Sequence, residues 1–302
     1  MLKNILSKEI TTFKINNFIR RKIIKYSSDP RPTSYPYISG DSFRKIADHV
    51  YDETAKCQPE NIKAGQIVFV KSDLLGNYFQ DYHPKIECPY KLISHNSDYN
   101  ITESDLKYVD DKIICWFAQN VAVRHPKIIP IPFGLDNLHY YHLGIPKLFN
   151  RICKIKANKK NRIIWGFSID TNPRERQPAY DYLINSKIAE QIEWENNPKK
   201  YLKLINNYKF IACPSGNGLD DPRTWQALYL KIIPVTTRSV TREYFKNLKL
   251  PILIIDKWSE LDNMTEENLN NQYNKLMAQA ETEPLFMDYW INLIKNTNIN
   301  GQ

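Results

Sequence analysis

Short apolar runs bounded by turn residues recur through the first half of the chain, at residues 67–70, 91–94, 112–117 and 128–133. Each is rich in β-branched or aromatic residues and nearly continuous in its apolarity, as strands buried on both faces of a parallel sheet are. Ahead of them a helix is predicted from Asp41, with Phe43, Ile46, Ala47 and Val50 on its inner face. The second half repeats the rhythm with sharper boundaries. Strands are predicted at residues 162–169, 208–213, 232–236 and 251–255, and helices at 173–185, 199–206, 222–230 and 242–247. From Thr265-Glu266-Glu267-Asn268 onward the chain reads as helical. Alternating strands and helices in two blocks predict an α/β protein of two facing, doubly wound Rossmann-like domains. Residues 143–161 carry Gly144 and Pro146 and then a cationic run, which marks the crossing. The expected domains are therefore residues 1–145 and 146–302.

The first 26 residues have a different pattern. Leu2, Ile5, Leu6, Ile10, Phe13, Ile19 and Ile23 recur at helical spacing among Lys3, Lys8, Lys14, Arg20, Arg21, Lys22 and Lys25, with Glu9 the single acid. A helix with one apolar and one cationic face either packs on the first domain or lies on an anionic membrane surface. No run approaches the ~20 apolar residues needed to span a bilayer, and no secretory signal is expected. The chain has 42 Lys+Arg against 33 Asp+Glu, a net charge of +9, which suits anionic partners. Its cysteines, Cys57, Cys88, Cys115, Cys153 and Cys213, are scattered and unpaired in pattern, which argues for a reducing compartment and against structural zinc. The expected location is cytoplasmic, at the inner face of a membrane if the first helix binds there.

Two helix starts share a design. In one, Ser168 follows a strand, Asn172 caps, Pro173 takes the first helical position, Glu175 closes a capping box, and Arg174 and Arg176 lie in the first turn. In the other, Ser215-Gly216-Asn217-Gly218 leads to Asp221 as cap, Pro222 and Arg223. A cation at a helix N-terminus is disfavoured by about 0.3–1 kcal/mol, so something negative should compensate. Either a neighbouring carboxylate does so, Asp220 for Arg223 and Asp170 for Arg174, or a phosphate held by the free N–H groups and the arginine fork does. Neither G-x-x-x-x-G-K-[ST] nor G-x-G-x-x-G occurs, which disfavours kinase and dehydrogenase readings.

Residues 210–235, FIACPSGNGLDDPRTWQALYLKIIPV, resemble the C-terminal domain of exostosin-like glycosyltransferases and related bacterial surface-polysaccharide transferases. They also resemble, more loosely, the matching segment of bacterial fucosyltransferases. The shared pattern is a strand, a Pro/Gly loop, an acid, then an arginine opening a helix that ends before an "IPV" strand. The resemblance implies a GT-B fold, a nucleotide-diphosphate sugar donor, a glycan or glycolipid acceptor, no metal and no cofactor, with Arg174 or Arg176 meeting the diphosphate. Where that family commonly has Glu for the ribose, this chain has Gln226.

Inverting transfer needs a base near the acceptor hydroxyl. Ser94-His95-Asn96-Ser97-Asp98 follows an apolar strand, so His95 and Asp98 are candidates, and Asp73, at the end of another strand, is a third. The rival functions are a non-catalytic binder of nucleic acid or another polyanion and another nucleotide-using transferase on the same fold. Nucleic acid is not an expected partner, since the basic residues form no recognised module.

Overall fold

The computed structural model describes residues 15, 17–193 and 195–297. Most of the N-terminal segment, residues 1–14 and 16, lies outside these described residues. The part that is described forms a helix through residues 17–25.

Two five-stranded parallel sheets make up the fold. The first holds β1 (His49–Tyr51), β2 (Ile67–Lys71), β3 (Tyr90–His95), β4 (Ile113–Ala118) and β5 (Ile128–Pro130), side by side in sequence order. The second holds β6 (Lys160–Trp165), β7 (Ala189–Gln191), β8 (Tyr208–Ala212), β9 (Ile233–Thr237) and β10 (Leu253–Ile255), in the order β10-β9-β8-β6-β7. The chain runs outward from β6 to β7 and then returns past β6 to β8. That reversal puts a crevice at the carboxyl ends of β6 and β8, where open parallel sheets bind ligands.

Among the helices that flank the sheets are α1 (Gly40–Lys45), α2 (Pro146–Ile152), α3 (Pro173–Leu183), α4 (Pro198–Ile205), α5 (Pro222–Tyr229), α6 (Val240–Asn247), α7 (Glu266–Ala278) and α8 (Met287–Asn296). The capping signals work as the sequence implies at Asn172, Asp221 and Thr265, each accepting a first-turn N–H. Glu175 departs from its expected capping box, since its carboxylate accepts from the Thr237 hydroxyl at 3.0 Å. The helix expected from Asp41 stops at Lys45, and Val50 belongs to β1. The run expected to continue as strand to Phe133 ends at Pro130, because Pro130 and Pro132 lack the N–H that a ladder needs. Both β1 and β7 are three-residue edge strands without a marked apolar run.

Side-chain alternation feeds three cores. Val68 and Val70 turn to one side of the first sheet, while Ile67 and Phe69 turn to the other. In the second sheet, Ile163 and Trp165 face outward from the junction and Ile164 faces into it. The inward faces of both sheets share one apolar cluster with Phe149 of α2, Trp225 and Tyr229 of α5 and Trp290 of α8. Helix α8 is also held from the first sheet, where the Lys91 ammonium donates to the carbonyls of Ile294 at 2.9 Å and Lys295 at 2.7 Å. A cation on the last carbonyls of a helix satisfies groups that have no intrahelical partner.

The junction is pinned by one buried carboxylate. Asp220 Oδ2 accepts the Phe133 N–H at 2.8 Å from the first unit and the Trp225 indole N–H at 2.7 Å from α5. Burial pushes the Asp220 carboxyl up to about 7, against the pull of those N–H donors. Asp220→Ala strands two buried donors, so it should lower the unfolding free energy by about 2–4 kcal/mol. The folded-state pKa stands above the unfolded value of ~4. The wild-type advantage is therefore complete below that pH and shrinks as pH rises to about 7. Urea denaturation of both proteins at several pH values measures this, and equal midpoints throughout would remove Asp220 from the junction.

Candidate active site

Two cavities open at the carboxyl ends of the two sheets. The larger, about 390 Å³, is walled by Gly166, Phe167 and Ser168 after β6, Gln191, Ile192 and Glu193 at β7, and Pro222, Arg223 and Gln226 at the start of α5. It sits at the strand-order reversal of the second sheet.

Its electrostatics depend on three arginines around the loop from Cys213 to Asp221. Arg176 is buried, donating from Nε to the Ser215 carbonyl at 3.1 Å and from Nη1 to the Ser168 carbonyl at 2.8 Å. Burial and then the neighbouring Arg223 lower its pKa. Arg242, which sequence reasoning missed, donates to the Thr237 carbonyl and to the Ser215 hydroxyl, both at 2.9 Å. Both guanidinium groups are occupied in tying strand ends together. Arg223 differs, because its Nη1 is buried and has no hydrogen-bond partner. Burial acts to lower the Arg223 pKa, and Tyr201 and Asp221 beside it outweigh that and hold it raised.

Neither of the two expected arginine–carboxylate pairs forms, although Asp221 lies beside Arg223. Asp220 is committed to Phe133 and Trp225, and Arg174 stands exposed with no ion pair to Asp170. Of the residues singled out in the sequence, Ser168, Arg223 and Gln226 wall the cavity. Others shape the loop behind it. Asn172 donates to the Gly216 carbonyl at 2.7 Å, Asp221 caps α5 by accepting the Thr224 N–H at 3.1 Å, and the Ser215 hydroxyl is taken by Arg242. Gly218 packs so closely on Asn120 that a Cβ there would lie 2.5 Å from its amide nitrogen. Asn217 reaches across the junction to Asp98 at 3.2 Å.

The second cavity, about 360 Å³, gathers Asp73, His95 and Asp98 with Lys71, Asn96, Asp136 and Tyr140 at the ends of β2, β3 and β5. The structure thus brings the three candidate bases into one cleft. Their situations differ. The His95 ring is buried, with Nε2 3.0 Å from the Pro132 carbonyl and Nδ1 accepting the Asn96 N–H at 2.6 Å. Both nitrogens are spent on the fold, and burial lowers the pKa to about 4. Asp73 accepts from the Ser97 hydroxyl and lies 3.5 Å from the Lys71 ammonium. Asp98 is exposed at the seam.

Beneath this cleft lies a group that the sequence does not advertise. Asp41, fully buried, pairs with Arg31 at 2.8 Å and His139 at 2.7 Å and accepts from Asn96 at 3.3 Å. Burial alone would raise its pKa, but His139 and Arg31 lower it. The loop from Phe133 to Leu143 walls both cavities, with Asp136 in the second and His142 in the first, 3.9 Å apart. Gly134 makes the turn possible, at φ +74° and with the Ile38 carbonyl 2.3 Å from where a Cβ would stand. Among the described residues no three His, Cys, Asp or Glu side chains gather as a metal site.

No family model and no curated protein matches the chain. Solved structures resemble it at low identity. The spinosyn rhamnosyltransferase SpnG complexed with thymidine diphosphate is 8% identical, with 76% of this chain and 68% of that chain covered and a TM-score of 0.35. The alpha,alpha-trehalose 6-phosphate synthase from Burkholderia multivorans is 8% identical, with 80% and 70% covered and a TM-score of 0.43. Likeness at this level leaves the site to be read from its own geometry.

The His95 arrangement has a measurable consequence. Its imidazole should stay neutral from pH 8 down to about 5 and titrate near 4. Because that lies below the unfolded value of ~6.5, its contribution to stability is complete above ~6.5 and declines as pH falls toward about 4. Imidazole NMR shifts across that range test the assignment, and a His95 signal titrating near 6.5 would contradict it.

Proposed function

We propose that this chain is a glycosyltransferase of the GT-B kind that holds a nucleotide-diphosphate sugar in the cavity between β6, β7 and α5. The carrying observation is the unpartnered, buried Nη1 of Arg223 at the N-terminus of α5, on the wall of a cavity of about 390 Å³. A buried arginine nitrogen without a hydrogen-bond partner, at the N-terminus of a helix, suits a phosphate oxygen. The exostosin-like pattern of residues 210–235 narrows the phosphate to a nucleotide-sugar and the pathway to surface-polysaccharide synthesis.

The acceptor, a glycan or glycolipid, occupies the second cavity. Its hydroxyl oxygen attacks the anomeric carbon from the face opposite the leaving diphosphate, inverting the centre, while a carboxylate takes the hydroxyl proton. Asp98 is the base in this reading, because it meets the second unit through Asn217 and is not committed to a cation. Asp73, next to Lys71 and Ser97, positions the acceptor. As the glycosidic bond to phosphate breaks, charge collects on the diphosphate, where Arg223 and the α5 dipole stabilise it without a metal. Gln226 donates to or accepts from a donor hydroxyl within the same cavity.

Arg223→Ala should weaken nucleoside diphosphate binding about 10- to 100-fold, the loss of one charge-assisted contact. Calorimetric titration with a panel of UDP, GDP, dTDP and ADP, with and without divalent metal, reads this directly. A folded variant with wild-type affinity would take Arg223 out of the site, and no binding of any nucleotide to the wild type would end the reading. Asp98→Asn should cut kcat by about 10²–10⁴ with little change in KM. An equal loss in Asp73→Asn with Asp98→Asn unaffected would transfer the role to Asp73.

A further inference from the structure

Helix 17–25 is attached to the protein by the side one would expect to face water. At about 100° per residue, Asn17, Arg20, Arg21 and Ile24 share one face. Arg21 donates from Nε to the Tyr140 carbonyl, and the Arg20 guanidinium lies 5.5 Å from the Tyr141 ring. Phe18, Ile19, Ile23 and Tyr26 share the opposite face and stand 62%, 47%, 62% and 75% exposed. Lys22 lies among them, its ammonium 5.5 Å from the Phe18 ring and 6.0 Å from the Tyr26 ring, and Lys25 is 5.8 Å from the Tyr26 ring.

We propose that this outward face binds the surface of an anionic lipid bilayer. Apolar and aromatic side chains on one face enter the acyl boundary, while lysines on the same face extend their ammonium groups to the headgroup phosphates. Residues 17–25 contain Arg20, Arg21, Lys22 and Lys25 and no acid. A second copy of the chain would therefore set like charges against each other, whereas an anionic bilayer supplies the missing sign. Because Tyr140 walls the second cavity, a bound helix holds that wall at the membrane surface.

The test uses the full-length chain and vesicles of phosphatidylglycerol with phosphatidylcholine, against phosphatidylcholine alone, at low and high salt. Binding needs neither donor nor acceptor, so it stands or falls apart from the proposed chemistry. The wild type should sediment with the anionic vesicles and release at high salt. Lys22→Ala and Lys25→Ala should each weaken binding about fivefold, and Phe18→Ser/Ile23→Ser should abolish it. These side chains stand in solvent, and unchanged thermal unfolding confirms that the variants fold. No binding by the wild type, or wild-type binding by Phe18→Ser/Ile23→Ser, would overturn the proposal. So would a solution dimer lost in that variant without any vesicle binding, which would assign the face to a second copy.

Discussion

A carboxylate taken out of water must be met by donors on every side or it does not stay there. Asp220 satisfies that demand by holding the Phe133 N–H of one unit and the Trp225 indole of the other with the same oxygen. The whole loop from Cys213 to Asp221 is placed by this requirement. Asn120 accepts the Asp220 N–H at 2.9 Å, Gly218 is pressed on the Asn120 amide, and Asn217 and Leu219 meet Asp98 and Asn100. The loop that forms the back of one cavity is thereby also the contact with the other, and the carboxyl ends of the two sheets are set at one seam.

Charge around this loop is distributed by occupancy. Three arginines converge on it, and two are hydrogen-bonded to carbonyl and hydroxyl oxygens around the strand ends. Arg223, its charge favoured by Tyr201 and Asp221, keeps a buried nitrogen without a hydrogen-bond partner. In the proposed reaction that charge has a specific use, since the leaving diphosphate gains negative charge as the sugar departs. The acceptor cleft has a different balance. There Asp41 anchors Arg31 and His139 from below, leaving Asp73, Asp98 and Asp136 on the wall.

Much of this was legible in the chain. The strands β2, β3, β4, β6, β8 and β9 each carry a short apolar stretch that the fold covers on both faces. The helix starts at Asn172, Asp221 and Thr265 show their caps in the residue types. The edge strands β1 and β7 were not legible, since three residues paired on one side need no apolar run. The place of Tyr37 was not legible either, since it packs on Tyr229 at 4.8 Å in the shared core, which only the meeting of the two units creates.

By itself the sequence determined the α/β class, the positions of most strands and caps, and the arginine in the first turn of α5. These depend on side-chain period and on residues within a few positions of each other, so they are written locally. Only the tertiary structure decided which arginine goes unpaired, which candidate base has both nitrogens spent, and which way the basic helix turns. Arg176, Arg242 and Arg223 differ in the distant carbonyls that reach them, and His95 is held neutral by its burial. Helix 17–25 faces its apolar side outward because Tyr140 and Tyr141 engage its arginines. Each of these outcomes is a competition between partners far apart in the chain, and a competition of that kind is resolved only when folding brings them together.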